Sequence, residues 1–196
     1  MPQNPSLADA KGIRRLLIID GVQDPGNLGT LLRTALGLGW DMAYLLRGTC
    51  DPWNQKVIRA ARGASFRLPV VVGGSLSELQ EIIQQNELTV VAADPHATES
   101  VYDLSPSEQG YALWLGSEGK GLAGGEWGEA MEQTDLDDAG EEPVATSPSG
   151  LQAVGASVKT VKIDMEPSME SLNVAVAGGI LMHQFRLPPA AEEVAL

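Results

Sequence analysis

The chain has 196 residues, 43% of them apolar, enough to enclose a core in one domain or in one domain with a sizeable insertion. Its single cysteine, Cys50, excludes an internal disulfide and a cysteine-rich zinc site, and no apolar run approaches the roughly 20 residues of a membrane helix. The net charge of −13 is unlike the basic footprint of a nucleic-acid protein, yet it is unevenly placed.

Eight acids and no bases lie between Glu126 and Glu142, so the rest of the chain carries only −5 of the −13. Arg33, Arg47, Lys56, Arg59, Arg62 and Arg67 all fall within residues 33–67, so one face can be positive on an acidic protein. Met1–Ala10 has neither a basic amphipathic pattern nor an apolar signal core. The expected compartment is the cytoplasm, or an organelle if a transit peptide has been removed.

Arg14–Asp20 reads as a short buried strand ending at an acid. Asp24-Pro25-Gly26 is a turn signal, because proline presets φ and glycine tolerates positive φ. Asn27 is then placed to cap a helix whose apolar stripe is Leu28, Leu31, Leu32, Ala35 and Leu38, with Gly37 and Gly39 near its end. Met42–Leu46 and Leu68–Val72 are strand candidates, Ser75–Gln85 is an amphipathic helix, and Thr89–Ala93 is the next strand. Tyr111–Leu115 is an apolar strand running into a glycine loop at Gly116.

Residues 123–160 break the alternation. A helix is expected to start them, around Gly125–Met131, and the remainder, acidic and then rich in Ser, Pro, Gly and Ala, reads as a flexible insertion. Val161–Met165 is a further strand, and a last helix runs from about Ser171 to Arg186. Strands alternating with helices predict an α/β fold with a mostly parallel sheet and helices on both faces. The domain reading is a single unit over 1–196 with an acidic insertion at about 126–160.

The loop Gly116–Gly121 sits where α/β proteins bind ligands. It is not a Walker loop, because Trp114 stands where the first glycine is needed and Gly121 where a Ser or Thr should follow Lys120. Nor does Gly21–Gly26 have the glycine spacing of a dinucleotide fingerprint.

Three segments taken in order say more. Asn27-Leu-Gly-Thr-Leu-Leu-Arg33-Thr-Ala35, Leu115–Leu122, and Ile163-Asp-Met165 with Ser171–Ala177 resemble the three signatures of the SpoU/TrmH family of RNA ribose methyltransferases, of the SPOUT superfamily. Asp51-Pro-Trp-Asn through Gly63-Ala64 resembles the stretch joining the first two signatures in ribosomal-RNA members. The resemblance implies a C-terminal trefoil knot, a homodimer, S-adenosylmethionine as methyl donor, and RNA as substrate, with ribosomal RNA favoured over transfer RNA. By position, Gly116, Ile163 and Leu172 match the cofactor pocket, with Leu115, Met165 and Ser171 as close neighbours. Arg33 matches the catalytic arginine, and Asn27, Glu118 and Asn173 match other polar family positions.

A guanidinium stays protonated, so Arg33 takes the ribose proton only with help from a substrate phosphate, or else clamps phosphate and stabilises the alkoxide. Both remain open. On local grounds, Asn27 and Asn173 also read as helix caps and Arg33 as a solvated helix residue. His96 and His183 lack a metal-ligand partner at suitable spacing, so neither metal nor membrane is expected as a partner. The four tryptophans are scattered and do not suggest a stacking platform. Many ribosomal-RNA members carry an RNA-recognition domain before the core, which here begins by about residue 12, so that domain is expected to be absent. A catalytically silent scaffold that binds RNA or a protein is the alternative function.

Overall fold

The computed structural model describes residues 5–6, 9–104, 107, 109–116 and 158–186. These residues form a seven-stranded, wholly parallel sheet. The strands are β1 (Arg15–Asp20), β2 (Met42–Leu46), β3 (Val70–Gly74), β4 (Thr89–Ala93), β5 (Glu99–Ser100), β6 (Tyr111–Gly116) and β7 (Val158–Lys162). The helices are α1 (Pro25–Gly37), α2 (Gln55–Ala61), α3 (Leu76–Gln85) and α4 (Val174–Gln184), with a 3₁₀ turn at Ala64–Phe66.

The sheet order is β3-β2-β1-β6-β4-β7-β5, so β6 enters between the first strand and the fourth. Central strands of such a sheet are covered on both faces and read as continuous apolar runs. Leu-Leu-Ile-Ile in β1 and Ala-Leu-Trp-Leu in β6 are buried throughout. Leu17 and Ile19 face a cluster shared with α1, α2 and α4, while Leu16 and Ile18 face one shared with α3. Helices therefore cover both faces, as the alternation predicted.

The α1 start differs from expectation. Asp24, not Asn27, is the cap: its carboxylate accepts from the Asn27 backbone N–H at 2.7 Å. Pro25 occupies the first helical position, where its fixed φ and missing N–H cost nothing, and this moves the start three residues earlier. The strand expected at Leu68–Val72 is observed at Val70–Gly74. Leu68 N–H bonds back to the Ala64 carbonyl and Pro69 has no N–H, so pairing begins only at Val70.

The last strand starts at Val158, not Val161, so three residues of the expected insertion belong to the sheet. Lys159 and Thr160 are exposed, and their polarity disguised the strand. The expected helix near Gly125–Met131 and the acidic run lie outside the described residues.

Two glycines mark where helices meet. A Cβ on Gly29 would lie 2.6 Å from Ala60 Cβ, 2.7 Å from the Val57 carbonyl oxygen and 2.9 Å from the Ala61 nitrogen, so α1 and α2 cross backbone to backbone there. A Cβ on Gly178 would meet Leu31 Cδ2 at 2.5 Å and Leu115 Cδ1 at 2.7 Å, which seats α4 over α1 and β6. Trp40 Nε1 donates to the Met182 carbonyl at 3.2 Å, and Phe185 packs on Tyr111, fixing the far end of α4.

Candidate active site at the carboxyl edge of the sheet

In an open parallel sheet, ligands bind beyond the carboxyl ends of the strands where the strand order reverses. Here that place is the end of β6, with β1 on one side and β4 on the other. Gly116 is the last residue of β6 and pairs with Asp20 at the end of β1. Ile163 follows β7 at the same edge, half-buried and packed against the core cluster that contains Leu115. Met165 and Leu172 are half-buried, and Ser171 is exposed just before α4.

The first and third signatures meet in one contact. Asn173 caps α4, its Oδ1 accepting from the Ala175 and Val176 N–H groups at 2.9 and 3.3 Å. Its Nδ2 donates to Asn27 Oδ1 at 3.0 Å, 146 residues away in sequence, and so pins the start of α4 to the start of α1. The amide is needed for both tasks, because it accepts on one side and donates on the other. Asn173→Ala is expected to lose about 1 kcal/mol in urea denaturation through the missing cap. Asn173→Asp keeps the cap but loses the donor to Asn27, so it should fall between wild type and Asn173→Ala.

Arg33 is not gathered into this cluster. It lies six residues beyond Asn27, about 9 Å further along α1. It is exposed and makes no hydrogen bond or ion pair among the described residues. Being one turn after Gly29, it projects beside the α1–α2 crossing. Glu118 lies outside the described residues.

Two polar contacts at this edge escaped the sequence reading. Buried Ser100 Oγ donates to Asp164 Oδ2 at 2.5 Å, tying the Ile163–Met165 turn to β5. The only signal was an aspartate between two apolar residues. The second is Asp20, whose carboxylate accepts from Trp114 Nε1 at 3.3 Å.

Burial pushes the Asp20 carboxyl above its ordinary value of 3.8, and the Trp114 bond opposes that in part. The folded chain then binds the Asp20 proton more tightly than the unfolded chain, so this group's contribution to stability falls as pH rises from 3.8 through the raised value. Asp20→Asn is accordingly expected to match wild type in acid and to exceed its urea midpoint at neutral pH.

Among the described residues, no group of three or more His, Cys, Asp or Glu is placed to hold a metal ion. No helix among them is long and apolar enough to cross a membrane.

The SpoU rRNA Methylase family matches residues 14–141, which is most of the chain. The chain belongs to that family. Among SpoU-related proteins, it is 34% identical over 173 residues to the Bacillus subtilis 23S rRNA (guanosine(2553)-2′-O)-methyltransferase RlmP, covering 88% of this chain and 58% of that protein. A putative RNA methyltransferase of the TrmH family from Porphyromonas gingivalis superposes with a TM-score of 0.69 at 28% identity, covering 94% of this chain and 62% of that one. The Streptomyces viridochromogenes SpoU methyltransferase AviRb, in complex with AdoMet, has the same fold, with a TM-score of 0.73 at 23% identity over 94% of this chain and 64% of that one. The chain thus spans about half the length of the curated relatives it matches over most of its own length.

Proposed function

We propose that this chain is the catalytic core of an S-adenosylmethionine-dependent methyltransferase acting on a ribose 2′-hydroxyl of ribosomal RNA. The observation that carries the reading is the Asn173–Asn27 bond, which brings two of the three signature segments to the strand edge where the other begins. RlmP, named for 2′-O-methylation of 23S rRNA, supports the choice of reaction and RNA class.

The edge suits the methyl donor. An adenosine needs apolar walls and backbone hydrogen bonds rather than charges. Half-buried Ile163, Met165 and Leu172 offer the walls, with Leu115 behind them, and Gly116 and Ser171 offer main chain with little side-chain bulk. When bound, S-adenosylmethionine supplies a methyl group on a positively charged sulfur, open to in-line displacement by oxygen.

What remains for the chain is to orient the ribose and ease loss of its proton. Arg33, exposed and unpaired among the described residues, is free to grip a phosphate beside the target nucleotide with both arms of its guanidinium. From there it stabilises the developing alkoxide, or passes the proton to that phosphate. Asn27 and Asn173, fixed to each other, orient the ribose side of the site, and Glu118 completes the polar set.

The finer topology in this reading is a trefoil knot. Its support is the return of α4 from β7, two strands out, to lie over β6 at Leu115. The working form in this reading is a homodimer, as the family resemblance implies.

Calorimetric titration with S-adenosylmethionine tests the site. Saturable binding to one site per chain, competed by S-adenosylhomocysteine, is expected. Absence of binding at millimolar cofactor contradicts the reading. Tight binding without RNA methylation would favour a silent scaffold.

A further inference from the structure

The segment between the first two signatures folds into a compact surface unit that the proposed reaction does not yet use. From residue 52 to residue 77 the chain has four bases, Lys56, Arg59, Arg62 and Arg67, and no acid, within a protein of net charge −13. All four are exposed, and among the described residues none forms an ion pair. Lys56 and Arg59 are neighbours on one side of α2, and Arg62 ends that helix in the left-handed region at φ 52. A β-carbon is disfavoured there, and glycine or asparagine would be the easy choice, so a guanidinium is held at a conformational cost.

An aromatic pair belongs to the same stretch of chain. Phe66, at the end of the 3₁₀ turn, is 58% exposed, whereas Phe185, the other phenylalanine, is buried. Phe66 meets half-buried Trp53 with ring centroids 5.6 Å apart. The tryptophans are scattered along the sequence, and Trp53 has its aromatic partner in a phenylalanine.

Both rings stand on ordered backbone. Trp53 N–H donates to Asp51 Oδ1 at 2.9 Å, Asn54 caps α2 through the Lys56 N–H at 2.9 Å, and Phe66 N–H donates to the Gly63 carbonyl at 3.2 Å. The α2 backbone is in turn pressed against α1 at Gly29, one turn before Arg33.

Resting on the RNA methyltransferase reading, we propose that α2 and its 3₁₀ turn form a docking surface for single-stranded RNA. Phe66, backed by Trp53, stacks one unpaired base, and Lys56, Arg59, Arg62 and Arg67 hold the flanking phosphates. Stacking on an aromatic face with cations along the strand is how unpaired RNA is held without sequence readout. A duplex, with its bases already stacked, has nothing to offer Phe66. The surface borders Arg33, so a strand lying on it enters the catalytic edge alongside α1.

The test uses the full chain and a short fluorescein-labelled single-stranded RNA, with the same sequence as a duplex for comparison. Phe66→Ala is expected to weaken single-strand binding about tenfold. Phe66→Tyr should restore it, and the melting temperature and S-adenosylmethionine affinity should stay unchanged. Arg62→Gln with Arg67→Gln should flatten the log–log salt dependence by about 1.4, or 0.7 for each of two phosphates.

Wild-type RNA affinity in Phe66→Ala overturns the proposal, as does a wild-type chain that prefers the duplex. A Phe66→Ala variant that loses dimer mass while keeping RNA affinity also overturns it, making the face a contact between copies. A wild-type chain that binds RNA through Phe66 but fails to bind S-adenosylmethionine leaves the surface standing and removes the methyl-transfer reading.

Discussion

Replacing Arg33 with alanine is expected to reduce RNA methylation about 100- to 1,000-fold, while cofactor affinity and the thermal midpoint remain at wild-type values. The stability half of this expectation follows from the structure. Arg33 is exposed on α1 and holds nothing in place among the described residues, so alanine removes no packing and slightly favours the helix. The activity half follows from the role proposed for its guanidinium at the phosphate and the developing oxyanion. Arg33→Lys keeps the charge but loses the two-armed grip, and should fall between the two. Equal rates for all three proteins in a single-turnover assay would mean that Arg33 is an ordinary surface residue.

The second large effect belongs to Gly29. An alanine there drives its Cβ into the α2 backbone at the Val57 carbonyl and the Ala61 nitrogen, neither of which can move alone. Overpacking of this kind costs about 1–3 kcal/mol, sometimes more, and the better helix propensity of alanine returns about 1. Because two of the atoms in the way are backbone, the cost falls at the top of that range, and a net loss of about 2 kcal/mol in urea denaturation is expected for Gly29→Ala. At Gly178 the obstacles are the side-chain tips of Leu31 and Leu115, which can turn aside, so Gly178→Ala should cost less, about 1 kcal/mol. Because Leu115 immediately precedes Gly116, the second variant should also weaken S-adenosylmethionine binding. The two glycines thus separate a structural crossing from one that borders the site.

Much of the sheet was legible in the sequence, because parallel strands buried on both faces appear as unbroken apolar runs, as in β1, β2 and β6. What hid was short or polar. Of the seven residues of α2, only Val57 and Ala61 are buried, too few to set up a periodic stripe. Strand β7 begins with half-buried Val158 and exposed Lys159 and Thr160, so only its end at Val161 showed in the sequence.

The site was legible in its parts but not in its assembly. Asn27, Arg33 and Asn173 could be named from their segments, yet the bond between Asn27 and Asn173 spans 146 residues and has no local signature. The same holds for Ser100 with Asp164 and for Trp53 with Phe66. Such pairings are products of topology. The cap of α1 was misplaced for a local reason, since both Asp24 and Asn27 are good cap residues and only the position of Pro25 decides between them.

In the proposed reaction, the edge joining Gly116, Ile163 and Asn173 delivers a methyl group to a ribose 2′-hydroxyl. A 2′-O-methyl group removes the nucleophile that alkali uses to cut the next phosphodiester bond. Ribosomal RNA incubated with this chain and methyl-labelled S-adenosylmethionine is predicted to yield, after alkaline hydrolysis, label confined to an uncut dinucleotide, and none with Arg33→Ala. Label recovered instead in mononucleotides would place the methyl group on a base and rule out ribose methylation.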